Sequence, residues 1–191
     1  SLRGNRDHLR GVGLNDVETE ANRCFNCGCI AVNPSDTAPA LIALNARVKT
    51  TKRLINAEDF FTVNGDKTTV LDDDELVTEI QIPKPSPGTV SKFIKFAIRK
   101  SIDFPIVSCA SAVKSEGGVV KSARICLNAV YNTPYRAIRA EESITGQPIE
   151  EAAAEDAGNA AIADSCPLAQ TRYKVQIAKT LVKRTILACK Q

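Results

Sequence analysis

The 191 residues carry 25 basic and 22 acidic side chains, a formal charge of +3. That is too small and too evenly spread to argue for a nucleic-acid partner. No apolar run approaches the ~20 residues a bilayer span needs, and no signal peptide is read at the start, so no membrane partner is expected. The length suffices for one good core or two small ones. The seven cysteines, an odd number without framework spacing, suit a reducing, cytoplasmic compartment. Met is absent and the chain opens Ser1-Leu2, which leads us to expect an excised piece of something longer.

Residues 1–23 form a polar lead-in, with a short helix expected from Asp16. Cys24, Cys27 and Cys29 follow as C-x-x-C-x-C around a glycine. This spacing lets a short loop direct several thiolates at one centre, and soft thiolates suit zinc, copper(I) or an iron–sulfur cluster. A structural centre needs four ligands, so His8, Cys109, Cys126, Cys166 or Cys189 would have to complete it; free thiols on a connecting loop are the alternative. Asn33-Pro34 begins a turn, and Ser35 or Asp36 is placed to cap the apolar helix that follows, with Leu41, Ile42, Leu44 and Val48 as its stripe. Residues 46–55 read as strands around a turn at Lys49–Thr51, and residues 57–61 as a helical turn. Asn64-Gly65 is a turn signal. Residues 72–82 read as a solvated acidic turn running into a half-buried strand, with Leu76, Thr78, Ile80 and Ile82 on one face and a stop at Pro83.

The run KPSPG at 84–88 suits an inter-domain linker. Beyond it, strands are expected at 91–98, 104–113 and 119–130, the last two joined at Gly117-Gly118, with Pro134 ending the sheet. Three helices follow. The first closes at Gly146, the second is Ala-rich with Gly158 as its weak point, and the third carries Tyr173, Ile177, Leu181 and Leu187 at helical spacing. The expected class is α+β: a remnant of an α/β flavin-binding subdomain at 24–86, then at 87–191 a two-layer domain of three antiparallel strands and a helical layer.

The blocks AVNPSDTAPALIALNARV, LINAEDFF and KTTVLDDDELVTEIQIP, in that order and spacing, resemble the second half of the FAD-binding domain of the xanthine dehydrogenase and carbon monoxide dehydrogenase medium-subunit family. FIKFAIRKSIDFPIVSCASAV, ARICLNAVYNTPYRAIRAEESITG and RYKVQIAKTLVKR resemble that family's C-terminal domain. The resemblance implies that the first half of the flavin domain, with its Gly-rich phosphate loop, lies outside this chain. It also implies an FAD-containing electron-transfer subunit of a molybdenum hydroxylase, passing electrons from iron–sulfur clusters through FAD to NAD or another acceptor. A molybdenum-cofactor subunit and a [2Fe-2S] subunit would be its partners, and a homodimer of the chain is a further expectation. By the same resemblance Ser35 and Asp36 belong to the cofactor site, Asp36 toward the ribityl or pyrophosphate region and Ser35 mainly shaping the turn, with Leu76 beside the ring and Arg99 and Asp103 paired at the flavin edge. Their residue-level alternatives are a cap or turn, a buried strand position and a rim salt bridge. EANRCFNCGC is also similar to the iron–sulfur domain opening of glutamate-synthase-type oxidoreductases, where Cys24 and Cys27 would be cluster ligands.

Two departures stand out. Ile106 occupies the position where animal xanthine dehydrogenases place a flavin-side lysine. Asn128-Ala129 replaces a Gly-Gly pair, so the backbone there need not follow the family's close approach. No hydrolase constellation is present, because His8, the only histidine, sits in the polar lead-in. The chain by itself is expected to be inactive, with flavin chemistry carried by the cofactor. The competing readings are a non-catalytic subunit-docking scaffold and a small metal or cluster adaptor built on Cys24, Cys27 and Cys29.

Overall fold

In a computed structural model of the chain the described residues are 33, 35–64, 67–99, 103–167 and 171–190. The cysteine trio, His8 and the lead-in lie outside them. The first described helix, α1 (Thr37–Ala43), starts where expected, and Ser35 is its cap: Ser35 Oγ accepts the Ala38 N–H at 3.1 Å. A three-stranded antiparallel sheet follows, in the order β2-β1-β5, from β1 (Arg47–Thr50), β2 (Leu54–Asn56) and β5 (Val77–Gln81). Between them come the short α2 (Ala57–Phe60) and the antiparallel pair β3 (Phe61–Asn64) and β4 (Lys67–Thr69).

After the Pro-rich linker, β6 (Thr89–Phe96), β7 (Val107–Glu116), β8 (Val119–Asn128) and β9 (Tyr135–Arg136) form one antiparallel sheet in chain order. The three long strands are those expected from the alternation. The fourth is a correction: Pro134 does not end the sheet, since the two residues after it pair with Cys126 and Leu127. Then come α3 (Ile138–Ile144), α4 (Glu151–Ala161) and α5 (Arg172–Leu187).

Register assigns the faces. Side chains alternate along a strand, so Ile94, Cys109 and Leu127, which stand opposite one another, share a face, as do Val90, Val113 and Ala123. That face meets the three helices in the main core, with Ile144, Ala154, Ala157, Leu181, Val182 and Ile186. The other face presents Ala110 and Cys126, and on it sits α1, where Ile42 and Ala46 cluster with Cys126 and Ala57. The first segment therefore supplies a helix to the second segment's sheet, and the linker does not separate two independent cores. Gly88 joins this arrangement, its carbonyl accepting the Ser115 N–H at 3.1 Å.

Ion pairs fasten the two segments together. Arg124 donates through Nε to the Ile42 carbonyl and through NH2 to Glu58 on α2, at 3.0 Å each. Arg136 bridges Glu58 and the buried Glu141 of α3, and Glu141 in turn accepts the Ile125 N–H at 2.8 Å. Among the described residues no helix is long and apolar enough to cross a membrane.

Candidate functional site

The turn before α1, the end of β6 and the start of β7 converge on one point. Asp36 does not cap the helix. Its Oδ2 accepts from Lys95 Nζ at 2.6 Å, while Oδ1 has no partner among the described residues and the carboxylate is 44% exposed. Lys95 also donates to the Asp103 carbonyl, and the Asp103 carboxylate takes Arg99 Nε at 3.1 Å and the Phe104 N–H at 3.0 Å. The guanidinium of Arg99 holds Asp103 below the usual carboxylate range. Asp36, Arg99 and Asp103 are thus one charged network, joined by a lysine that residue-by-residue reading did not single out. The signal for it was strand parity: Lys95 stands opposite Ser108, which stands opposite Asn128, and all three lie on the α1 side of the sheet.

In the Asn128-Ala129 pair, Ala129 adopts φ of 60°, the left-handed region that costs an L-residue about 1–2 kcal/mol. What holds it there is the turn before α1. Ala129 N–H donates to the Asn33 carbonyl at 3.1 Å and Asn33 N–H to the Tyr131 carbonyl at 2.9 Å. Asn128 Nδ2 donates to the Ser35 carbonyl at 2.5 Å. Ser35 is accordingly a shaping residue: its N–H bonds Asn33 Oδ1 and its hydroxyl caps the helix.

Leu76 is a second correction. It is 70% exposed, not a buried strand residue, and Ile80 and Ile82 are also exposed, so the expected half-buried face is open. The reason lies one residue earlier. Glu75 turns inward with its side chain fully buried, accepting Thr50 Oγ1 at 2.5 Å and a bidentate Arg53 pair at 3.0 and 2.9 Å, which leaves Leu76 outward. The Leu76 backbone is pinned to Thr51 by bonds at both its N–H and its carbonyl. Among the described residues no hydrogen bond joins it to the Asp36 network.

The flanking acids are a solvated turn as expected, Asp72 and Asp74 pairing with Lys52 and Asp73 with Lys67. Arg53 and the Thr50 hydroxyl pull Glu75 down to about 2. Because its folded value lies below the ordinary ~4.3 of an unfolded Glu, this group stabilises the fold above that value and loses its contribution as pH falls toward 2. Urea midpoints by circular dichroism should therefore drop more steeply from pH 5 to pH 2 in the natural chain than in Glu75→Gln. Parallel slopes would show that the carboxylate is not held by this pair.

Ile106 leaves no cation at its position; its side chain packs against the main core. Cys109, Cys126 and Cys189 are buried, and burial pushes the Cys109 and Cys189 thiols up to about 11. Cys166 is exposed. No group of three or more His, Cys, Asp or Glu among the described residues could hold a metal ion.

The donor set suits part of a flavin. A half-exposed carboxylate with one oxygen unpartnered among the described residues can accept from sugar-alcohol hydroxyls, and an outward leucine on a pinned backbone is an apolar surface for a ring. The described residues hold no Gly-rich phosphate loop.

An α+β protein with a charged network at the junction of two sequence segments is the class the fold and site define. Residues 92–189 match the family described as CO dehydrogenase flavoprotein C-terminal domain, and residues 9–85 match the FAD binding domain in molybdopterin dehydrogenase. The carbon monoxide dehydrogenase medium chain of Hydrogenophaga pseudoflava is 30% identical over 165 residues, covering 82% of this chain and 56% of the relative. The glyceraldehyde dehydrogenase medium chain of Sulfolobus acidocaldarius is 27% identical over 159 residues, covering 78% and 55%. Quinoline 2-oxidoreductase from Pseudomonas putida 86 shares the fold, with a TM-score of 0.71 at 23% identity over 99% of this chain and 60% of that one. The chain belongs to the xanthine dehydrogenase and carbon monoxide dehydrogenase FAD-binding (medium) subunit family. It spans a little over half the length of these curated relatives.

Proposed function

We propose that this chain is the ribityl- and ring-facing part of an FAD-dependent electron-transfer subunit of a molybdenum hydroxylase. The observation that carries the reading is the Lys95 bridge, which brings Asp36 from the first segment to Asp103 and Arg99 of the second. FAD, when bound, supplies the redox chemistry, taking electrons from iron–sulfur clusters and passing them to NAD or another acceptor. The chain's own residues bind and orient. Asp36 Oδ1 accepts from a ribityl hydroxyl, Ser35 and Asn128 hold the turn that presents it, and Leu76 covers part of the ring. Arg99 and Asp103 keep the β6–β7 side charged but internally neutral. In this reading 24–86 is the C-terminal half of the flavin domain and 87–191 its C-terminal partner, docking on a molybdenum-cofactor subunit and a [2Fe-2S] subunit in the cytoplasm.

A half-site of this kind predicts which part of FAD matters. Added to the purified chain, riboflavin and FAD should bind with similar and weak affinity, read from quenching of flavin fluorescence, and ADP should not compete. Asp36→Ala should weaken both flavins about tenfold, the equivalent of one charge-assisted hydrogen bond. Competition by ADP with no binding of riboflavin would overturn the assignment of these residues to the ribityl and ring end.

A further inference from the structure

Lys174, in the first turn of α5, is poorly placed for stability. A cation there faces the positive end of the helix, its side chain is half-buried, and no carboxylate among the described residues pairs with it. Burial accordingly pushes its ammonium below the ordinary lysine value. Its described contact is a donation from Nζ to the Ala129 carbonyl at 3.3 Å.

That carbonyl belongs to the residue with the left-handed backbone. From there the bonds run onward without a gap. Ala129 N–H reaches the Asn33 carbonyl, Asn33 Oδ1 accepts from Ser35 N–H and Asn128 Nδ2, and Asn128 Nδ2 also donates to the Ser35 carbonyl. Asp36 is the next residue. The turn that presents Asp36 is therefore set from the far end of the sequence, by a helix that packs on the opposite face of the sheet from α1.

We infer that Lys174 and Asn128 are positioning residues for Asp36: Lys174 holds the 129–131 turn in its left-handed form, and Asn128 transmits that geometry to the Ser35–Asp36 peptide. The role in flavin binding rests on the reading proposed above, whereas the positioning itself does not. A positively charged donor is suited to this task, because a carbonyl in a strained turn has no strand or helix partner to fix it and a charge-assisted bond is stronger than a neutral one.

The test is amide hydrogen exchange on the labelled full chain by NMR. In Lys174→Met the amides of Ala129, Asn33, Ser35 and Ala38 should exchange about tenfold faster or more, while core amides of α5 such as Val182 and Ile186 keep their rates. Lys174→Arg, which keeps a charged donor, should restore protection. Asn128→Ala should expose Ser35 and Ala38 but leave the rest of the sheet protected, and it decides the matter if Lys174→Met does not fold. Unchanged rates at the four amides, or a rise in step with the core, would overturn the inference. Riboflavin affinity gives the separate arm. If Asp36→Ala weakens binding, Lys174→Met should weaken it in parallel, and an undiminished affinity there overturns the coupling. If Asp36→Ala has no effect on binding, the flavin reading falls, and the exchange rates alone still decide the positioning.

Discussion

Replacing Glu141 by Ala should destabilise the fold by about 3–5 kcal/mol, the range seen when one member of a buried ion pair is removed. The carboxylate does three things in one place. It receives Arg136 in bidentate geometry at 3.0 and 2.8 Å, and it accepts the Ile125 N–H at 2.8 Å. It also stands where β9 has run out. Strand β9 covers Cys126 and Leu127 only, so the edge of β8 at Ile125 is completed by Ala137 N–H on one side and by this side chain on the other. Its loss leaves a buried N–H without an acceptor and Arg136 with Glu58 alone. Glu141→Gln keeps an acceptor and removes the charge, and should cost roughly half as much. Urea denaturation followed by circular dichroism measures both. A loss below about 1 kcal/mol for the Ala variant would mean that water replaces the carboxylate at this edge.

How much of this was legible beforehand follows from what each feature depends on. The long strands of the second sheet and the three closing helices rest on local periodicity and turn residues, and these could be read from Gly117-Gly118, Gly146 and the alternation of Phe93 to Ile98. The Arg99–Asp103 pair was visible because its partners sit four residues apart. The Lys95 bridge was not, since its partner Asp36 is 59 residues away and no local pattern links them. Leu76 was misjudged for a related reason. Alternation told that Glu75 and Leu76 point to opposite sides, and hydrophobicity suggested that leucine is the inward one. Arg53, 22 residues upstream, reversed the choice by giving the glutamate a buried partner. Ala129 shows the same limit in the backbone: the partners of its left-handed conformation, Asn33 and Lys174, are remote in the chain, and no local pattern points to them.

Gly158→Ala should destabilise the protein, against the intuition that a glycine inside a helix weakens it. By helix propensity alone the change would gain about 1 kcal/mol. The residue, however, is buried where α4 crosses α5, and a Cβ built on it would lie 2.8 Å from the Lys179 carbonyl oxygen and 3.3 Å from that residue's Cγ. A backbone carbonyl within α5 cannot swing aside as a side-chain tip would, so the helices must separate. Their separation is opposed by the ion pairs that span the same seam, Lys179 to Glu155 at 2.5 Å and Lys183 to Glu151 and Glu155 at 2.5 and 2.9 Å. Overpacking of this kind costs about 1–3 kcal/mol, which equals or exceeds the propensity gain for Ala and exceeds it clearly for Val. Thermal midpoints should therefore fall in the order natural chain, Gly158→Ala, Gly158→Val, while Asn159→Ala, one residue on and exposed, leaves the midpoint unchanged or raises it. A Gly158→Ala variant as stable as Asn159→Ala would place the two helices farther apart than the close approach described above, and Gly158 would then be what its sequence context suggested, a weak point in α4.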